Sequence, residues 1–236
     1  MKKALRNIKL LILRCNVMKF RYEGDGKGSL SEIRRVDRIP PSFRKALRRA
    51  EENSLSDPLT RGPLNGMIGN KEKFYRDLVS ALSNFSRGVE GPPIVIMLDL
   101  DNFKTRINDA LGHPKGDEAL TKVADALLKS VREGDGVYRF GGDEFAVILK
   151  TKGTERAKEI KEIVEIVISR IEFLAGYQTV GNGIREEHLW ISAGYSAASN
   201  NLKEVRRKIE REDAVALVEQ ADSMLYKVKR KRGAGR

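Results

Sequence analysis

The chain holds a single cysteine, Cys15, in 236 residues. No intramolecular disulfide can form, which fits a reducing compartment. Long apolar runs are missing as well. The longest aliphatic run near the start is Leu10-Leu11-Ile12-Leu13, far short of the ~20 residues a membrane span needs. No small-residue cleavage site follows it, so a secretory signal is not expected. No internal repeat is visible. These absences point to a cytoplasmic protein with no transmembrane segment, whose 40% apolar residues suffice for one core-bearing domain plus an appendage.

A uniformly basic surface is also lacking, although the net charge is +12. Residues 1–50 hold 15 Lys/Arg against 4 Asp/Glu, and residues 227–236 hold 6 basic groups and no acidic one. The intervening 51–226 carry 24 basic and 29 acidic residues, so the body is mildly acidic and only the ends are basic. This distribution argues against a nucleic-acid-binding surface. The basic ends read first as solvated charge, with contact to RNA or peripheral contact to an anionic membrane as the alternative.

Residues 1–22 mix Lys/Arg with Leu, Ile, Val and Phe without a clean period, so a basic amphipathic helix and a strand pair both stay open. Glu23 to Ser29 reads as a turn or linker, and Ser42 after Pro40-Pro41 offers an N-cap for a helix through about Glu52. The organisation expected is a basic leader with a short linker helix over 1–54, one folded domain over 55–231, and a basic tail over 232–236.

Within the domain, Asn70 can cap a helix bearing Phe74, Leu78, Val79 and Leu82 on one face. Ile94-Val95-Ile96-Met97-Leu98 is a short continuous apolar run that suits a strand buried on both faces, and it ends in Asp99-Leu100-Asp101. A helix is expected from Phe103 to Gly112, followed by a long amphipathic one carrying Leu120, Val123, Ala124, Leu127, Leu128 and Val131. Val137 to Leu149 reads as a β-hairpin with Gly141-Gly142-Asp143-Glu144 at its tip. Thr154 can cap a helix with Ile160, Ile163, Val164, Val167 and Ile171 on its stripe. A strand over Leu189 to Tyr195 and a last helix carrying Ala214, Leu217, Val218, Ala221, Met224, Leu225 and Val228 complete the domain. The order from residue 94 on is β-α-β-β-α-β-α, an α+β plan of ferredoxin-like type, with a central antiparallel sheet flanked by helices.

Taken alone, the hairpin tip is ordinary turn chemistry. The plan changes that reading, because in a β-α-β-β unit the first strand commonly lies beside the hairpin. Asp99 would then approach Asp143 and Glu144. Crowded carboxylates repel and raise one another's pKa values. A divalent metal removes the conflict, and Mg²⁺ takes a few carboxylate oxygens together with phosphate and water. Metals held this way suit phosphoryl or nucleotidyl transfer, and glycines at the tip let a triphosphate approach the backbone.

Arg139 with Gly141-Gly142-Asp143-Glu144-Phe145 resembles the signature of the GGDEF-domain diguanylate cyclases. The likeness extends to Asp99-Leu100-Asp101-Asn102-Phe103-Lys104, Ile107-Asn108-Asp109, Gly112-His113 and Gly116-Asp117. It also takes in Asp57-Pro58-Leu59-Thr60 and Ala221-Asp222 with Leu225-Tyr226-Lys227-Val228-Lys229, so it covers about residues 55 to 231. The resemblance implies a nucleotidyl-cyclase palm that condenses two GTP into cyclic di-GMP with release of two pyrophosphates. It implies Mg²⁺, with Mn²⁺ as a substitute, on Asp99, the Leu100 carbonyl, Asp143 and Glu144, and a catalytic role for Asp143 and Glu144. Asn108 and Asp117 would read guanine with His113 nearby. Asn102, Phe103, Lys104, Gly141, Gly142 and Lys229 would hold the phosphates. Arg132 and Asp135 match an RxxD product-inhibition site. Because one subunit would bind one GTP, a twofold homodimer is implied.

Three departures bear on nucleotide choice and rate. The family usually has one residue fewer between Phe103 and Ile107, and an extra helical residue would turn Asn108 by about 100° unless a bulge absorbs it. The loop Arg61 to Gly69 is longer than the usual connection. The second basic phosphate contact after Lys229 is displaced, with Arg230 or Arg232 as substitutes. The rival readings are a catalytically weak or inactive module that binds GTP or cyclic di-GMP as a receptor, and an enzyme making a hybrid or adenine-containing cyclic dinucleotide.

Overall fold

In the computed structural model the described residues are 42, 45, 54–60, 68–152, 157–175, 178–179, 186–187, 191–199 and 208–232. The chain divides into two units, Met1–Ser54 and Leu55–Arg236, and the second carries the features below. Residues 1–22, nearly all of the helix expected from Ser42, Thr154 and the start of the strand at Leu189 lie outside the described residues.

The elements run β1 (Gly69–Asn70), α1 (Lys71–Ser86), β2 (Ile94–Leu100), a π-helical turn (Lys104–Asn108), α2 (Asp109–Leu111), α3 (His113–Ser130), β3 (Gly136–Gly141), β4 (Glu144–Leu149), α4 (Ala157–Ala175), β5 (Gln178–Thr179), β6 (Glu186–Glu187), β7 (Ile191–Ala197) and α5 (Arg211–Arg232). Five strands form one sheet in the order β1-β3-β4-β2-β7. β2 is antiparallel to both β4 and β7, and β3 and β4 form the hairpin. This is the expected α+β arrangement with the first long strand beside the hairpin. Two features were not foreseen: β1, which pairs parallel to β3, and the separate β5–β6 ladder.

The sheet separates two cores. On one face β2 supplies Ile94, Ile96, Leu98 and Leu100, which pack with Leu120, Val123, Ala124 and Leu127 of α3 and Val164 and Val167 of α4. On the other face Val95 and Met97 meet Phe74, Leu78 and Leu82 of α1 and Ala214, Leu217, Val218 and Ala221 of α5. All seven residues of β2 are buried, which is why Ile94 to Leu98 form a continuous apolar run rather than an alternating one. Each fully buried Leu, Ile or Phe here contributes about 1.5–3 kcal/mol of transfer free energy. Asn70 caps α1, its side-chain oxygen accepting from the Lys73 amide at 3.0 Å.

One expectation is refined and one corrected. The segment expected as a helix from Phe103 to Gly112 is helical, but it is a π-helical turn followed by the short α2. Met224, expected on the buried stripe of α5, is 38% exposed. The seam of that helix follows Ala214, Leu217, Ala221, Leu225 and Val228, and Met224 stands about 100° away from Leu225.

Candidate active site

Strand parity assembles the acidic cluster. Along β2 the residues at two-residue spacing from Val95 and Met97 face α1 and α5, so Asp99 does too. In β4, Ala146 and Ile148 face the same side, which sends Glu144 there as well. The register sets Asp99 directly opposite Glu144. The Leu100 amide donates to the Asp143 carbonyl at 3.3 Å, tying the end of β2 to the hairpin tip. Of the residues singled out in the sequence, Asp99, Leu100, Asp143 and Glu144 therefore stand together.

Lys229, the candidate phosphate ligand, also arrives here. α5 packs on β7 so that its ammonium lies 2.6 Å from Asp99 Oδ1. Burial raises the Asp99 carboxyl above its ordinary value; the Lys229 hydrogen bond and charge pull it back, and Asp143 and Asp101 push it up again. Glu144 is exposed as a residue, yet partial burial of its carboxyl raises it, and the charges of Asp99, Asp143 and Asp222 add to the shift. Asp222 of α5 is itself raised by burial, with Lys71 opposing.

Asp101 stood out in the sequence only within the motif ending β2 and Arg232 only as a substitute phosphate contact, and Ser192 carried no signal of a place here. Asp101 is 4% exposed; its Oδ2 accepts from Ser192 Oγ at 2.9 Å and lies 3.9 Å from Arg232 Nη1. Its other oxygen, Oδ1, is buried with no hydrogen-bond partner among the described residues. Arg232 also donates to the Ile191 carbonyl at 2.8 Å, which seats the end of α5 on β7. The signals for Asp101 were its place two residues beyond Asp99 and its membership of the block Asp99-Leu100-Asp101-Asn102-Phe103-Lys104.

The hairpin tip has its own clamp. Gly142 takes φ +41, a conformation that favours glycine. Arg139 donates from Nε and Nη2 to the Gly142 carbonyl at 2.9 and 2.7 Å, and its Nη1 lies 3.5 Å from Asp57 Oδ1. The second Asp57 oxygen accepts from the amide and hydroxyl of Thr60 at 2.9 and 2.7 Å. Asp57 and Thr60 are thereby connected through Arg139 to the acidic turn, a link that their separation in sequence conceals.

The residues implied for base recognition lie beyond β2. Asn102 takes a left-handed φ of +56, which asparagine tolerates better than most residues. Phe103 and Ile107 are buried, Lys104 is exposed, and Asn108 is half-buried. Asn108 Oδ1 stands beside Gly116, at the place a Cβ there would need. Asp117 follows Gly116 and is exposed, as is His113 at the start of α3.

Arg132 and Asp135 lie at the opposite end of β3 from Gly141. Six residues at about 3.3 Å each separate the two ends by roughly 20 Å. Asp135 is employed by its own turn: Oδ2 accepts from the Arg132 amide at 3.0 Å and Oδ1 from the Lys150 amide at 2.9 Å. The Arg132 side chain is exposed. A cavity of about 290 Å³ adjoins Asp135, with Lys73, Asp77, Tyr138 and Lys150 in its wall. Another, of about 350 Å³, lies between α1 and the start of α5. Neither includes the acidic cluster.

For a divalent cation, the fit rests on donor chemistry. Among the described residues no three His, Cys, Asp or Glu side chains already surround a common point. However, Asp99 and Glu144 are both held above their ordinary values by burial and by neighbouring negative charge, and Asp101 keeps one buried oxygen unpartnered. A small set of this kind suits a hard cation that retains water and phosphate ligands.

Comparison with known proteins identifies the family. The family described as "Diguanylate cyclase, GGDEF domain" matches residues 55–234. The chain is 30% identical over 203 residues to the diguanylate cyclase DgcP of Pseudomonas aeruginosa, covering 85% of this chain and 26% of that protein. It is 32% identical over 162 residues to the diguanylate cyclase DgcS of Shewanella oneidensis, covering 69% of this chain and 47% of that one. The chain thus spans between a quarter and a half of the length of these relatives. Its fold matches the crystal structure of the coiled coil and GGDEF domain of DgcB from Caulobacter crescentus, solved in complex with c-di-GMP. The TM-score there is 0.62 at 22% identity, over 81% of this chain and 88% of that one. By sequence, fold and the residues at its hairpin tip, the chain belongs to the GGDEF domain family of diguanylate cyclases.

Proposed function

We propose that the chain is a divalent-metal-dependent diguanylate cyclase that condenses two GTP into cyclic di-GMP and releases two pyrophosphates. The observation that carries the reading is the pairing of Asp99 opposite Glu144 with Asp143 at the adjoining turn. In each half-reaction the 3′-oxygen of one GTP forms a bond to the α-phosphorus of the other. The α–β phosphoanhydride bond breaks, and pyrophosphate leaves with the electron pair. Asp143 accepts the 3′-hydroxyl proton, and Glu144 assists it.

Asp99, the Leu100 carbonyl, Asp143 and Glu144 are the groups that would hold Mg²⁺, or Mn²⁺ in its place. When bound, the ion lowers the pKa of the attacking hydroxyl and neutralises developing phosphate charge. Gly141, Gly142 and the backbone of Asn102, Phe103 and Lys104 receive the phosphates, and Lys229 turns from Asp99 toward them. The Asn108 amide donates to guanine acceptors, while Asp117 accepts from the N1–H and N2 amine. Two subunits face each other in the active state, since each supplies one GTP. Arg132 and Asp135 bind the product and slow the enzyme.

The test is incubation of the chain at high concentration with GTP and Mg²⁺, with chromatography of the products. Cyclic di-GMP from the parent and none from Asp143→Ala supports the proposal; GTP binding with no product sinks it in favour of the receptor reading. Competition with ATP decides against an adenine-containing product if GTP alone is consumed.

A further inference from the structure

The helical segment after β2 changes register at its middle. The amide of Arg106 donates to the Asn102 carbonyl at 2.9 Å, four residues back, and Gly112 donates to Asn108 at 2.9 Å, again four back. Between them the Asp109 amide reaches the Lys104 carbonyl, five residues back. A five-back bond flanked by four-back bonds means that the segment holds one residue more than the α-helix it interrupts.

The surplus lies on the outside. Lys104, Thr105 and Arg106 are all exposed, whereas Phe103 and Ile107 on either side of them are 5% and 3% exposed. Both core anchors thus keep their places although three residues separate them. In an uninterrupted α-helix the same residue count would turn everything beyond by about 100°, and Asn108 with it. The position of Asn108 is closely defined. A Cβ on Gly116 would lie 2.0 Å from Asn108 Oδ1 and 3.3 Å from Phe103 Cζ. α3 therefore lacks a side chain at the spot where the Asn108 amide stands.

We infer that the π-helical turn is a register compensator. It absorbs one surplus residue among Lys104, Thr105 and Arg106, and so keeps the Asn108 amide seated against Gly116 as a positioning pair for the nucleotide base. The first part stands on backbone geometry alone; the assignment to a base rests on the guanine-binding reading above. Thr105 is the residue to remove, because among the described residues its hydroxyl donates only to the Asn102 carbonyl at the surface, at 3.1 Å.

Three variants of the full chain test this: deletion of Thr105, insertion of one alanine between Thr105 and Arg106, and Gly116→Ala. Thermal melting and calorimetric titration with GTP and with ATP, each with Mg²⁺, are the readouts. The deletion should convert the turn to an α-helix, melt no lower than the parent, and bind GTP within about threefold of it. The insertion adds a second surplus residue that the turn cannot absorb. It should melt lower and bind GTP at least about tenfold more weakly, the cost of a misplaced hydrogen-bonding group. Gly116→Ala should reduce the preference for GTP over ATP by about tenfold with Mg²⁺ affinity unchanged, a ratio that loss of packing alone would not move. A deletion variant that melts well below the parent, or that loses GTP binding while folded, overturns the inference, since the π-helical turn would then be the required geometry. If the parent binds no GTP the guanine reading falls, and the melting of the deletion against the insertion still decides the register claim.

Discussion

The ammonium of Lys229, near the end of α5, lies 2.6 Å from Asp99 Oδ1 at the end of β2. A candidate phosphate ligand thus neutralises a candidate metal ligand, and the two residues come from elements 130 positions apart in the chain. This single pair links the charge state of the acidic cluster to the seating of the last helix.

Lys229→Met should therefore act in opposite directions on cation binding and on turnover. With the competing ammonium gone, Mn²⁺ should bind about three- to tenfold more tightly, a modest gain because the pair is partly solvent-screened. Cyclic di-GMP formation should fall by at least about tenfold, because a phosphate contact is lost. Electron paramagnetic resonance titration of Mn²⁺ and product chromatography measure the two effects; weaker Mn²⁺ binding would refute the competition.

The pH dependence of stability follows from the raised carboxyls. Asp99, Glu144 and Asp222 all stand above their ordinary values, 3.8 for the aspartates and 4.5 for Glu144, with burial the leading cause in each. The folded state thus holds these protons more tightly than the unfolded chain. Their contribution to stability is complete below the ordinary values and is lost as the pH rises through the raised folded ones. Without divalent cation, Asp99→Asn should melt no lower than the parent at neutral pH, despite losing the ion pair. Its melting temperature should also change less than the parent's between pH 4 and 7. A steeper profile in the variant would contradict the sign.

At Gly194 of β7 the backbone of α5 lies close against the sheet. A Cβ there would stand 2.2 Å from the Leu225 amide nitrogen and 2.3 Å from the Ala221 carbonyl oxygen, both backbone atoms that cannot rotate away. Gly194→Ala should cost about 1–3 kcal/mol by overpacking and shift α5, with Lys229 and Arg232, away from the cluster. Urea unfolding gives the loss, and a variant as stable as the parent would show that the helix adjusts freely.

Arg139→Met removes the two hydrogen bonds on the Gly142 carbonyl and the contact with Asp57. Since the clamp orients the turn that carries Asp143, turnover should fall about ten- to a hundredfold, as expected when a reacting group is misplaced by an ångström or so. The protein should remain folded by circular dichroism. Full activity would mean that strand pairing alone holds the turn.

Arg132 and Asp135 should separate when each is changed. Asp135→Ala removes two acceptors for backbone amides, so it should destabilise the protein by about 1 kcal/mol, as loss of a cap does, and relieve product inhibition. Arg132→Ala leaves those bonds in place and should relieve inhibition with the melting temperature unchanged. Inhibition by added cyclic di-GMP that persists in both variants would remove these residues from the product site.

Much of the architecture was legible in the sequence because its signals are local. The continuous apolar runs of β2 and β4, the glycine turn and the Asn70 cap each report the burial or backbone geometry of a few consecutive residues. Strand parity then carries further than the elements themselves, since a two-residue period sends Val95, Met97 and Asp99 to one face and Ala146, Ile148 and Glu144 to the same one. Where local signals were ambiguous the reading slipped. The spacing from Phe103 to Ile107 showed one surplus residue but left open whether a bulge would absorb it, and Met224 satisfied the spacing of the α5 stripe while standing outside its seam.

By itself the sequence determined the order of the long elements, the faces most of them bury and the meeting of Asp99 with the hairpin acids, since all three depend on periodicity, turn chemistry and the β-α-β-β plan they define. Only the tertiary structure decided that Lys229 rests on Asp99, that Arg139 holds the Gly142 carbonyl with Asp57 behind it, and that Asn108 and Gly116 interlock across the π-helical turn. Those contacts depend on how closely two backbones approach and where a long side chain comes to rest. Both are set by the packing of elements distant in the chain.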